Sequence, residues 1–341
     1  MGAQRGIRIT SDDNYWQNIV TLIHITFELS FLEKNGMIGF LSKKTVRLKS
    51  LRRFARRFFR NRFESLSYKR LNLSTRFLHL VQSHVYNSYK NRAKLFDIIS
   101  IQTITGCNYS CPFCPANRND LNLYGGAASK SLMDISLYKK IMKELSGLSF
   151  NGRISPYYLN ESLLDERLPD LVAMARAACP QSFIFIQTNG SLMDEKLFKE
   201  LVKAGINEVY VNDYTKNSVV INRIQKFSLE KNENLRLTFE KRSFDERLSN
   251  RSGNVKHYVI SAQPLRIPCV KPFRQIFIGY DGKVCLCCND WQFEKVMGEA
   301  KKQSLVEIWN TEQYKTLRRQ LAQSDRSGNS LCSKCDFSGL W

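Results

Sequence analysis

No run in this chain approaches the roughly 20 consecutive apolar residues that a membrane-crossing helix requires. The best candidate, residues 16–32, is interrupted by His24 and Glu28. The N-terminus lacks the charged start, apolar stretch and small-residue cleavage site of a secretory signal, so a cytoplasmic protein is expected. There is no internal repeat and no low-complexity stretch, which excludes a solenoid or a simple linker array. Acidic residues are scarce at one end: residues 1–100 hold 6 Asp/Glu against 19 Lys/Arg, a large part of the net charge of +21.

What is present is enough for a sizeable core, with 341 residues that are 43% hydrophobic. Residues 1–95 read as a basic helical segment. Within it, 43–62 carries ten basic residues and no acidic one. Leu48, Leu51, Phe54, Ala55, Phe58, Phe59 and Phe63 recur there at helical spacing, with Lys49, Arg52, Arg53, Arg56, Arg57 and Arg60 on much of the opposite face. A helix docked on the main domain with its charged side in water explains this pattern. The sharper alternative is a helix that meets an anionic membrane surface or a phosphate group. No aromatic pattern of a single-strand-binding surface accompanies the charge, and a nucleic-acid partner is not expected.

From about residue 96 strands and helices alternate. Strands are expected at 98–103, 153–159, 183–187, 208–211 and 235–239, and helices at 134–145, 165–178 and 194–204. Such βα units imply a parallel sheet whose chemistry lies at the C-terminal ends of its strands. From about 250 the pattern changes to a hairpin over 273–287, turning at Asp281-Gly282, followed by short helices at 304–309 and 312–322.

The ten cysteines are grouped: three in 107–114, one at 179, four in 269–288 and two in 332–335. In a reducing compartment such groups read as metal sites rather than disulfides. Cys107, Cys111 and Cys114 form C-x3-C-x2-C directly after the first strand. Three thiolates can hold three irons of a [4Fe–4S] cubane and leave the fourth open to a small molecule. A zinc site would want a fourth protein ligand nearby, and none follows. Cys269, Cys287, Cys332 and Cys335 give C-x17-C-x44-C-x2-C, four thiolates that can close a second cluster, with structural zinc as the competing reading. Cys285 and Cys288 are left over, Cys288 being the substitute ligand if the register is wrong. Cys179 is read as a small core residue.

With Phe113 as the aromatic before its last cysteine, the first group resembles the hallmark of the radical S-adenosylmethionine (SAM) superfamily. That resemblance implies a partial (β/α)6 TIM-like barrel over 96–250, a cluster with an open iron, and SAM bound to it. It also places SAM-contacting residues. Asn160 and Glu161 end the second strand, in Leu-Asn-Glu-Ser where the family has Gly-Gly-Glu-Pro. Thr188 and Asn189 of Thr-Asn-Gly end the third, and Asn212 ends the fourth. Turn chemistry alone would also explain Asn189-Gly190. Residues 251–341 resemble the SPASM domain and its shorter relative, the twitch domain, through Asp281-Gly282-Lys283-Val284, Asn289-Asp290-Trp291, Met297-Gly298 and the 305–309 helix. This implies one auxiliary [4Fe–4S] cluster.

Within the superfamily the spacing resembles that of dehydrogenases that oxidise an aminocyclitol hydroxyl. The implied activity is an oxidoreductase that uses a 5′-deoxyadenosyl radical on a hydroxylated small molecule, such as a sugar, an aminocyclitol or a nucleotide- or lipid-linked glycan. An external electron donor such as flavodoxin or ferredoxin is implied as well. Arg251, in a loop before Cys269, is the candidate for holding the substrate hydroxyl; a surface-loop arginine is its plainer explanation. The competing functions are a radical SAM peptide maturase and a basic zinc-binding RNA-interacting protein.

Overall fold

The computed structural model describes residues 95–114, 130–228, 235–244, 249–255 and 264–337, together with Asn87. The chain divides into two units, 1–71 and 72–341, and every described residue belongs to the second. Apart from Asn87 and Leu95, the expectations for residues 1–95, including the basic stretch 43–62, lie outside the described residues.

One eight-stranded sheet organises the described residues, in the order β5-β4-β3-β2-β1-β6-β7-β8. Strands β1 (Ile98–Ile101), β2 (Arg153–Ser155), β3 (Phe183–Thr188), β4 (Glu208–Asp213), β5 (Arg236–Lys241) and β6 (Gln275–Ile278) run parallel. Strands β7 (Lys283–Cys285) and β8 (Val296–Glu299) extend the sheet antiparallel beyond β6. Among the described residues no further strand flanks β5 or β8, so the barrel is partial. The sheet takes in a strand from beyond residue 250, because β6 pairs with β1 in the register Ile98↔Gln275.

The pleat sends alternate side chains to opposite faces. Ile99, Ile101, Ile154, Ile184, Ile186, Val209, Val211, Ile276 and Ile278 are all buried on the face that the helices cover. The other face carries Ser100, Ser155, Gln187, Tyr210, Asn212 and Glu240. This apolar-out, polar-in division makes the barrel interior a place for chemistry.

Four helices follow the parallel strands: α1 (Ile135–Gly147), α2 (Leu168–Ala178), α3 (Glu195–Lys203) and α4 (Val219–Phe227). Asp134 caps α1 by accepting from Ser136 N, and Asp194 caps α3 by accepting from Leu197 N, both at 2.7 Å. Leu137, Tyr138, Ile141, Met142 and Leu145 form the buried stripe of α1, and the Tyr138 hydroxyl ties it to α2 by donating to Leu171 O. Cys179 ends α2 and is buried in this core.

Two elements depart from the sequence pattern. α4 has no capping residue at its own start, since Ser218 is left-handed and makes no cap bond. Its cap comes from the end of β4, where Asp213 Oδ2 accepts from Ile221 N. β2 stops at Ser155 rather than 159, because Tyr158 leaves the sheet to donate its hydroxyl to Cys287 O. After β8 come α5 (Leu305–Trp309), α6 (Glu312–Ala322) and α7 (Ser330–Lys334). Among the described residues no helix is long and apolar enough to cross a membrane.

Candidate active site

The loop bearing Cys107, Cys111 and Cys114 leaves the C-terminal end of β1, at the centre of the sheet. Gly106 opens it at φ +92°, a left-handed conformation natural to glycine, and its carbonyl accepts from Glu161 N. Cys107 Sγ accepts from Tyr109 N at 3.4 Å, and Cys114 N donates to Cys111 O. Burial pushes the Cys107 thiol up to about 11 and the Cys111 thiol up to about 12. Neighbouring thiols add to both shifts, so the three groups sense one another.

The residues placed around SAM by resemblance gather beside this loop. Glu161 is 3% exposed; its Oε1 accepts from Leu163 N and the Thr188 hydroxyl, and its Oε2 from Asn189 N. Burial nevertheless raises its carboxyl pKa, outweighing these three bonds. One lone-pair position on Oε2 is left for an incoming donor. Asn189 Nδ2 donates to Asn108 Oδ1 at 2.8 Å and lies 4.0 Å from Cys107 Sγ, so the β3 end is tied to the cysteine loop. Asn160 Oδ1 accepts from Tyr158 N, while its Nδ2 is buried without a partner. Asn212, across from Glu240 in the β4–β5 register, accepts from Arg242 Nε at 3.2 Å. Phe113 packs on Tyr214 with ring centroids 6.0 Å apart.

Cys269, Cys287, Cys332 and Cys335 line one cavity, gathered from the loop before β6, the turn after β7, and α7 with its C-cap. Asn329 starts α7 by accepting from Leu331 N and Cys332 N. Burial pushes Cys332 up to about 12 and Cys287 well above its ordinary value. Neither Cys285 nor Cys288 lines the cavity. Cys285 is fully buried beneath the Tyr158 hydroxyl, 3.2 Å away. Cys288 packs in a small apolar cluster with Tyr158, Leu159, Trp291 and Cys114, so this cluster spans from one cysteine group toward the other.

Arg251 lies next to the four-thiol cavity, which its neighbour Ser252 lines. Its Cζ is 5.9 Å from the Trp291 ring centroid, and its charge reaches the buried Tyr157. Arg251 and Ser252 have φ of 50° and 58°, conformations that cost non-glycine residues about 1–3 kcal/mol each. They are held by Asn250, whose Nδ2 donates to Lys334 O and whose N–H donates to Asp336 Oδ2. The Arg251 loop is thus anchored to α7, the helix carrying Cys332. Trp291 belongs to this region by position, but the sequence offered it only as a domain landmark.

The donor sets suit iron–sulfur clusters: three thiols in a loop, leaving an iron open, and four that close a second. A single zinc ion would need every sulfur about 2.3 Å from one point. Among the described residues no three His, Cys, Asp or Glu side chains gather closely enough for one metal ion. The unpaired Asn160 amide beside the first group suits a ligand that offers it an acceptor. When bound, a reduced cluster with an open iron supplies the cleavage of SAM to a 5′-deoxyadenosyl radical.

Comparison with known proteins agrees with this layout. Residues 101–213 match the Radical SAM superfamily model, and residues 269–336 match an iron–sulfur cluster-binding domain, SPASM. The S-adenosyl-L-methionine-dependent 2-deoxy-scyllo-inosamine dehydrogenase of Niallia circulans is 29% identical over 247 residues, which are 71% of this chain and 94% of the relative. The crystal structure of BtrN in complex with AdoMet and 2-DOIA is similar with a TM-score of 0.60 at 26% identity, over 72% of this chain and 94% of that one. An open conformation of BtrN shares the fold at a TM-score of 0.54 and 24% identity. The chain is a radical SAM enzyme with a SPASM-type iron–sulfur domain, similar to a SAM-dependent aminocyclitol dehydrogenase.

Proposed function

We propose that this enzyme oxidises a carbinol of a hydroxylated small molecule (a sugar, an aminocyclitol or a nucleotide- or lipid-linked glycan) to a carbonyl. The observation that carries the reading is a pair of buried donors without partners, Arg251 Nε and Trp291 Nε1. Trp291 belongs to the apolar cluster against which Cys114 and Cys288 pack, and Arg251 lies over its ring. Buried donors without partners cost about 1–3 kcal/mol each, and a substrate rich in hydroxyl acceptors satisfies them. The relative's printed activity, dehydrogenation of an inosamine, is chemistry of the same class.

The two-electron balance divides between the two cysteine sites. Glu161, Thr188, Asn189 and Asn212 would hold SAM, and its deoxyadenosyl radical would supply the acceptor for the carbinol hydrogen atom. The hydroxyl proton passes to water, and one electron remains to be removed from the substrate. Arg251 holds the hydroxyl by hydrogen bonding; its guanidinium is too weak a base to take the proton at neutral pH. The electron departs toward the site of Cys269, Cys287, Cys332 and Cys335. A flavodoxin or ferredoxin supplies the electron that starts the cycle, and the basic stretch 43–62 is proposed to meet a phosphate-bearing surface.

Anaerobic turnover with polyols deuterated at the carbinol carbon tests the proposal. One deuterium should appear in 5′-deoxyadenosine for each carbonyl formed. Turnover in Arg251→Gln should fall about tenfold to a hundredfold while SAM binding is kept, in line with the roughly 1.5–3 kcal/mol of a charge-assisted hydrogen bond. Deuterium-free 5′-deoxyadenosine with every hydroxylated substrate, or a product that keeps the carbinol, would defeat the proposal.

A further inference from the structure

Two cations are buried around the four-thiol cavity, and the hydrogen bonds and the ring contact they make are to neutral groups. Arg326 is 3% exposed and Lys271 is 8% exposed, and both line the cavity with Cys269, Cys287, Cys332 and Cys335. Arg326 donates to Ile267 O at 3.1 Å, Pro268 O at 3.3 Å and Phe337 O at 2.8 Å. It therefore grips the segments just before Cys269 and just after Cys335 with backbone carbonyls alone. Lys271 Nζ lies 4.3 Å from the Phe337 ring centroid. Asp336, the acidic group in range of Arg326, accepts from Asn250 N through its Oδ2. Burying a charge costs free energy unless an opposite charge compensates it, and four thiolates around a cluster would supply that opposite charge.

Asn289 adds directed hydrogen bonds. It is 2% exposed; its N–H donates to Cys287 Sγ at 3.4 Å and its Nδ2 to Cys335 Sγ at 3.5 Å. The Cys288 thiol lies 3.9 Å from Asn289 Oδ1 and donates to it, which directs the amide nitrogen at Cys335. Asn254 Nδ2 holds the Asn289 carbonyl. One residue thus serves two of the four sulfurs, and the leftover Cys288 orients it.

Cluster potentials follow local charge, hydrogen bonds to the sulfurs and solvent exposure. Positive charge and N–H donors both stabilise the form that carries one more electron. We propose that Arg326, Lys271 and Asn289 raise the reduction potential of the auxiliary cluster, making its site the preferred destination of the substrate's electron. The inference rests on the four-cysteine assignment and is independent of which substrate is oxidised.

The test is a potentiometric titration of the full-length Cys107/Cys111/Cys114→Ala protein, reconstituted with iron and sulfide and followed by electron paramagnetic resonance. Arg326→Met and Lys271→Met should each lower the reduced-to-oxidised ratio at fixed ambient potential about tenfold, a shift of about 59 mV for one electron. Arg326→Lys, which keeps the charge and loses the three-carbonyl grip, should melt earlier with a potential close to the parent's. Asn289→Leu should lower the ratio about threefold. Fully loaded Arg326→Met and Lys271→Met proteins with the parent's potential would overturn the proposal. Lys271→Met decides alone if Arg326→Met does not fold. A parent that holds no iron overturns the four-cysteine assignment, and the inference with it, before any potential is read.

Discussion

Cys107, Cys111 and Cys114 lie within one loop, whereas Cys269, Cys287, Cys332 and Cys335 are drawn from three segments of the C-terminal part. The first loop hangs from the central strand of a parallel sheet and takes its hydrogen-bonding neighbours from the ends of β2 and β3. The second set is closed by a hairpin, a one-turn helix and the grip of Arg326. Their electrostatic surroundings differ in sign. The carboxylate of Glu161 raises the Cys107 thiol further, while Arg326 and Lys271 pull Cys269 down against its burial. An open site beside a carboxylate suits a bound cationic ligand such as SAM, and a closed site beside cations suits holding an extra electron.

The sharpest way to break this comparison is to remove each site in turn. Cys107/Cys111/Cys114→Ala should lose about half the iron and all 5′-deoxyadenosine formation. Cys287→Ala should also lose about half the iron, yet keep SAM cleavage and lose substrate oxidation. If both variants lose SAM cleavage equally, the division of labour fails. Iron analysis and product quantification read all of these outcomes.

Glu161→Gln should weaken SAM by about tenfold or more, because hydrogen bonds to a charged acceptor contribute roughly 1.5–3 kcal/mol; isothermal titration of the loaded protein measures this. Cluster content should be unchanged, which separates binding of SAM from assembly. Tyr158→Phe removes the phenol's hydrogen bond to the Cys287 carbonyl, which keeps its bond from Asp290 N, and should cost about 0.5–1.5 kcal/mol of stability, seen in thermal melts. Because Tyr158 links the end of β2 to the four-thiol site, its loss should disturb auxiliary loading more than loading at Cys107. The smallest effect is expected for Cys288→Ser: unchanged iron at both sites, since Cys288 lies outside the cavity. Loss of a cluster there would return Cys288 to the ligand set.

Much of the site could be read along the chain because its chemistry is local. A C-x3-C-x2-C loop after a strand, an acidic residue after the next, and Thr-Asn-Gly after the third follow one another in the order a parallel sheet stacks them. The structure brings Glu161, Thr188 and Asn189 to Cys107 for that reason. Helix α4 went unread because its cap, Asp213, belongs to the preceding strand rather than to its own first turn. Strand β8 went unread because Val296–Glu299 is short and gains its partner only through β7. Arg326, Lys271 and Trp291 carried no chemical signal in sequence. A lone arginine, lysine or tryptophan acquires its role from burial, which composition does not reveal.

The sequence by itself determined the βα order, the two cysteine groups and the presence of a three-cysteine loop, because strand periodicity and cysteine spacing are properties of neighbouring residues. The tertiary structure alone decided which of Cys285, Cys287 and Cys288 faces the four-thiol cavity. It also decided that Arg251 is anchored to α7 and that two cations are buried beside the thiols. These are contacts between segments far apart in the chain, and their energies come from desolvation and packing, which exist only once the sheet has brought those segments together.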